Sequence, residues 1–169
     1  MNINLSSLRT DIEDIDANLC TLLQTRDSYV HEIAQCKRQS STHLFDPIRE
    51  QMLYTLYSEK GYDYPNILKE ILAHSRYMQG VLCYVLNAED ILFAKLALGF
   101  ATKVEHIHEI SSHYDALASI FYLPHTSIEN INNLYPCATY YIHINNIKYI
   151  YHAMTTIQYK SPVEFSIYI

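Results

Sequence analysis

A cation stands where an apolar seam calls for a hydrophobic side chain, and a second lies on nearly the same face. Leu8, Ile12, Ile15, Leu19, Leu22, Tyr29, Ile33 and Cys36 recur at alternating spacings of four and three, the period of a coiled-coil-like helix seam. The same spacing expects an apolar residue at 26, and that residue is arginine. Lys37 follows three helical turns later, on nearly the same face. A buried guanidinium without a partner is costly, so both cations need an anion. A structural ion pair with Asp27, Glu32 or Glu50, or a side chain snorkelling to water, would also satisfy them.

Three further groups break local pattern in the same way. Ser75 and Gln79 lie one turn apart on the stripe Leu68, Ile71, Leu72 and Met78. Both can hydrogen-bond a ligand entering a bundle, or mark a helix end drifting into solvent. Asp46, Arg49 and Glu50 open another helix. Asp46 suits an N-cap, Glu50 is favoured by the helix dipole, and Arg49 opposes it. Arg9 is seventeen residues from Arg26, about 25 Å along one helix, so the two cannot share a small ligand within one chain. An antiparallel pairing of two copies would bring Arg9 of one to Arg26 of the other; otherwise Arg9 is a solvated helix-start cation. Together Arg9, Arg26, Lys37, Asp46, Arg49, Glu50, Ser75 and Gln79 suit a compact dicarboxylate with a hydroxyl, because the arginine fork binds carboxylates bidentately. The chemistry available is conformational clamping and stabilisation of developing charge.

The elements that must position these residues follow from breakers. Residues 5 to about 40 contain neither Gly nor Pro and are expected to form one helix of about 50 Å, too long for short neighbours to cover; a partner subunit would bury it. Asp46-Pro47 starts a second helix to about Lys60, with Gly61 as its stop. Asp63 and Pro65 open a third to about Gln79, with Gly80 beyond. The boundary between two domains, 1–80 and 81–169, is expected here. Residues 81–86 read as a short strand, 88–100 as a helix, 104–110 as a strand and 113–120 as a short helix. Residues 121–123 read as a strand, 139–144 with 147–151 as a hairpin, and 163–169 as a last strand. The second half is thus a small α/β domain.

Composition narrows the possibilities. The chain has 169 residues, is 49% apolar and carries a formal charge of −6, enough apolar content for a core and too acidic for a general nucleic-acid binder. No apolar run is long enough for a membrane span, and the N-terminus lacks the build of a signal peptide, so the cytoplasm is expected. Cys20, Cys36, Cys83 and Cys137 form no CxxC pair, and the histidines after residue 80 fit no standard metal spacing; no metal and no cofactor is expected. Residues 1–79 hold 8 basic and 11 acidic side chains against 4 and 7 in the rest. Neither half is basic, yet all five arginines precede residue 80.

The segments LRTDIEDIDANLCTLLQTR, VHEIAQCKR, FDPIRE and HSRYMQ resemble the all-helical AroQ class of chorismate mutases over residues 5–80. The resemblance implies a three-helix fold in an intertwined homodimer that converts chorismate to prephenate, a step in phenylalanine and tyrosine biosynthesis. It implies that Arg9 is given across the dimer and that Arg26 binds a carboxylate. Lys37 and Gln79 would address the ether oxygen, Arg49 contact the substrate, and Asp46 and Glu50 lie near its hydroxyl. Ser75 completes the set. The catalytic roles would fall to Lys37, Gln79, Arg26 and Glu50. The tail resembles a shortened first lobe of prephenate dehydratase in Cys83-Tyr-Val-Leu86, in residues 94–100 and in Ser127-Ile-Glu-Asn130. It lacks the glycine-rich opening and the threonine-arginine-phenylalanine motif, so no dehydratase activity is expected. An isochorismate-pyruvate lyase, or a non-catalytic sensing or assembly protein on the same fold, are the alternatives.

Overall fold

The computed structural model describes residues 4–62, 64–109, 114–124, 139–144, 147–152 and 155–159. Helix α1 spans Leu5–Gln39, capped by Asn4, whose side chain accepts from the Ser6 amide at 3.1 Å. Lys37 and Arg38 sit in its last turn, where cations meet the negative end of the dipole. Only Val30 and Ala34 of α1 are buried. The seam faces outward: Ile15 is 64% and Leu22 67% exposed, and Leu8, Ile12, Leu19, Tyr29 and Ile33 are exposed with them.

Helix α2, Pro47–Glu59, begins with proline at its first position and ends before Gly61, which takes φ 75°. Helix α3, Pro65–Met78, also starts on proline; Asp63, expected at its start, lies outside the described residues. It closes with a Schellman arrangement. Gly80 takes φ 82°, its amide donates to the Tyr77 carbonyl at 2.9 Å, and the Val81 amide to Arg76 at 2.9 Å. The following strand, β1 (Leu82–Val85), starts three residues after Gln79.

The rest is α/β. Helix α4 covers Asp90–Leu98, and strands β2 to β6 cover Val104–His106, Ser119–Leu123, Thr139–Ile144, Ile147–His152 and Thr155–Tyr159. One sheet runs in the order β2-β1-β3-β4-β5-β6. The first four strands are parallel and the last two antiparallel additions. β3 is buried along its whole length, as expected for a parallel strand covered on both faces. The expected hairpin is β4–β5. The expected helix at 113–120 is instead, from 114 on, a turn leading into β3. Asp115 accepts from the Leu117 amide at 3.0 Å and its carbonyl from Ala118 at 3.0 Å, a local Asx-type alternative to a helix. The strand expected at 163–169 lies outside the described residues, while β6 was not expected. Among the described residues no helix is long and apolar enough to cross a membrane.

The two halves share a core. Ala34, Leu44 and Phe45 cluster with Val81, Cys83, Val85, Ala94, Leu98, Ala118, Ile120 and Tyr122, and the Leu44 amide donates to the Leu117 carbonyl at 2.8 Å. Burial pushes the Cys83 thiol up to about 12, so it behaves as an apolar core group. Truncating Leu44 to Ala therefore should cost about 2–5 kcal/mol. Helical circular dichroism and tyrosine fluorescence should report one coincident urea transition, shifted to lower midpoint; two separated transitions would show that the halves unfold independently.

Candidate active site

The α1 seam break brings Arg26 to α3. Arg26 Nη1 donates to Ser75 Oγ, which donates in turn to the Ile71 carbonyl at 2.7 Å. Next to this pair His74 Nε2 meets Asp27 Oδ2 at 3.1 Å. Asp27 thus serves His74, and Arg26 reaches a neutral hydroxyl rather than a carboxylate. One turn beyond Ser75, the side-chain oxygen of Gln79 is buried and has no partner among the described residues. Gln51 Oε1 is in the same condition, and nothing in its local spacing distinguished it from an ordinary helix residue.

Lys37 lies at the α1 end of the loop into α2. Its Nζ donates to the Leu44 carbonyl at 2.9 Å. Burial holds its pKa below the ordinary lysine range, and the nearby carboxylates of Asp46 and Glu50 partly offset this. Asp46 caps α2 by accepting from the Arg49 amide at 2.9 Å, as its position before Pro47 implies. Beside Lys37, His43 is also lowered, first by burial, with a hydrogen bond to the Ala116 backbone working the other way.

Glu50 is tied to a residue outside the expected set. Arg76 Nη1 donates to both Glu50 oxygens, 2.5 Å to Oε2, and Nη2 donates to the Leu98 carbonyl. The Phe45 ring lies under the guanidinium at 5.5 Å. Arg76 is 4% exposed. The signal was present in the spacing, because Leu68, Leu72 and Arg76 are successive members of one i, i+4 row. Glu50 keeps lone pairs beyond those Arg76 uses.

Arg49 and Arg9 are exposed on α2 and α1. Within one chain neither joins the others. Two clefts flank Arg26. One, of about 460 Å³, is walled by Tyr54, Tyr57, Tyr62, Tyr64 and Leu72; the other, of about 600 Å³, by Leu23, Ile67, Glu70, His74 and Ala101. Of the eight expected residues only Arg26 lines either cleft. Among the described residues no group of three or more His, Cys, Asp or Glu is placed to hold a metal.

The result is a helical unit with two separate polar pairs, Arg26 with Ser75 and Arg76 with Glu50, and with Lys37 in the field of Asp46 and Glu50. Residues 8–80, the helical segment, match the family model of chorismate mutase type II. The match supports chorismate mutase activity in general. No curated protein and no solved structure matches the chain.

The Asp46 cap is separable from the Asp46 charge. Asp46→Ala should lower thermal stability by about 1 kcal/mol, whereas Asp46→Asn keeps a good cap and should change it by only a few tenths. Thermal melts of both variants check this.

Proposed function

We propose that the chain rearranges chorismate to prephenate in a homodimer, in a site built from Arg26, Lys37, Asp46, Arg49, Glu50, Ser75 and Gln79 of one subunit and Arg9 of the other. The observation that carries this reading is the Lys37 ammonium, half-buried and held near Asp46 and Glu50, in a segment that matches the chorismate mutase type II model. The arginines clamp the two substrate carboxylates and hold the reactive conformer. Lys37 has three donor protons and spends one on Leu44, so it can also address the ether oxygen as charge develops there. A half-turn of the Gln79 amide presents its NH₂ where the unpartnered oxygen now lies, as a second donor. No covalent intermediate is needed.

The dimer is supported by two observations. The α1 seam is exposed over its length, and Arg9 is about 25 Å from Arg26 along the helix. An antiparallel α1 pair covers the seam and brings the two arginines together. We assign residues 1–80 to the mutase domain and 81–169 to an accessory α/β domain without dehydratase activity.

Incubation with chorismate should yield prephenate, and Arg26→Ala or Lys37→Ala should lower kcat/KM by about 10²–10³. Unchanged chorismate would overturn the reading, and salicylate from isochorismate would favour the lyase. Mixing Arg9→Ala with Arg26→Ala chains should restore activity that neither has alone, because one site of each mixed dimer is intact; no recovery would exclude a shared site. The pH profile follows from Lys37, which acts as a cation. Activity is full while it is protonated and lost as pH rises through its pKa. Because burial lowers that pKa, the alkaline limb of kcat/KM should fall below the roughly 10.4 of a solvated lysine, and Lys37→Arg should remove the limb.

A further inference from the structure

Helix α3 has a second face, directed at the C-terminal end of α4. Lys69 Nζ donates to the Leu96 carbonyl at 3.1 Å, Arg76 Nη2 to the Leu98 carbonyl, and the Ala101 amide to Glu70 Oε2 at 3.2 Å. The last carbonyls of a helix have no partner within it and carry the negative end of its dipole. Two buried cations of α3, Lys69 and Arg76, meet them here. The contact is close because Gly99 stands at it, at φ 102°. A Cβ there would lie 2.6 Å from Ala73 Cβ and 3.1 Å from the Lys69 carbonyl oxygen.

Arg76 therefore has two fixed ends. One nitrogen holds the Glu50 carboxylate at the start of α2, the other is held by the backbone of α4, and Phe45 closes the guanidinium face. Its fork is planar, so moving one end moves the other. We propose that Arg76 is a positioning residue for the mutase reaction, holding Glu50 in its working orientation and taking its own position from the α4 carbonyl, so that the α/β segment sets the geometry of the helical site. This inference rests on the mutase reading above.

The same dependence recurs at the loop between α1 and α2. Its ends carry Lys37 and Asp46, and it is fastened to the α/β segment by the Leu44 amide on the Leu117 carbonyl at 2.8 Å and by Arg38 on Asp115 at 3.2 Å.

The test is a mutant cycle in the full-length chain. Arg76→Lys keeps the charge but cannot serve Glu50 and Leu98 together. It should lower kcat about 10- to 100-fold, the size expected for misplacing a reacting group by an ångström, while KM changes less than kcat. In an Glu50→Gln background the same substitution should have little further effect. Gly99→Ala, which wedges α4 from α3 without touching the site, should lower kcat in the same Glu50-dependent way when assayed below its own melting midpoint. It carries the comparison if Arg76→Lys does not fold. A folded Arg76→Lys chain with wild-type kcat, or an equal loss in both backgrounds, overturns the inference while leaving the mutase reading intact. A wild-type chain inactive on chorismate overturns both.

Discussion

A buried guanidinium organises this molecule. Removing Arg76 from water has a large desolvation cost, repaid only if its donors are met in good geometry. Its two terminal nitrogens meet a carboxylate at the start of α2 and a carbonyl at the end of α4, with an aromatic ring against its face. These partners come from two separate stretches of chain, residues 45–50 and Leu98, and Arg76 itself from a third. Satisfying one side chain therefore fixes the mutual placement of α2, α3, α4 and the loop before α2. The ion pair need not add net stability to have this effect; what it supplies is geometric definition, and the residue it defines is Glu50.

The long helix has the opposite character. α1 is regular and well capped, and most of its apolar surface remains in water. Its buried residues, Val30 and Ala34, sit between the two cations Arg26 and Lys37, so the helix is anchored there and uncovered elsewhere. The acidic net charge is no obstacle to a small dianion, because the cations are placed locally and a carboxylate senses near charges far more than the sum.

The junction between the helices and the sheet has no linker. Gln79 ends α3, Gly80 makes the left-handed turn, Val81 is buried, and β1 begins at Leu82. A β1 tied so directly to Gln79, and sharing a core with Leu44 and Phe45, makes the α/β segment a wall of the helical one.

Local pattern was enough to read much of this. The seam spacing marked α1 and exposed Arg26 as an interruption, Asp46-Pro47 marked the start and cap of α2, and Gly61 and Gly80 marked the stops, because each depends on neighbours within a turn or two. The four-residue step from Ser75 to Gln79 placed both on one helical face for the same reason. The turn at Asp115 was misread as helix, since the side-chain acceptance that replaces helical bonding there is invisible in hydropathy. Arg76 lay in the right row of α3, yet its role could not be read, because its partners Glu50 and Leu98 are 26 and 22 residues away in sequence. By itself the sequence determined the three helices of residues 5–78, their ends and the inventory of charges, which are properties of short stretches. Only the tertiary structure decided which charge answers which, because pairing across helices is set by where the shared core brings their backbones.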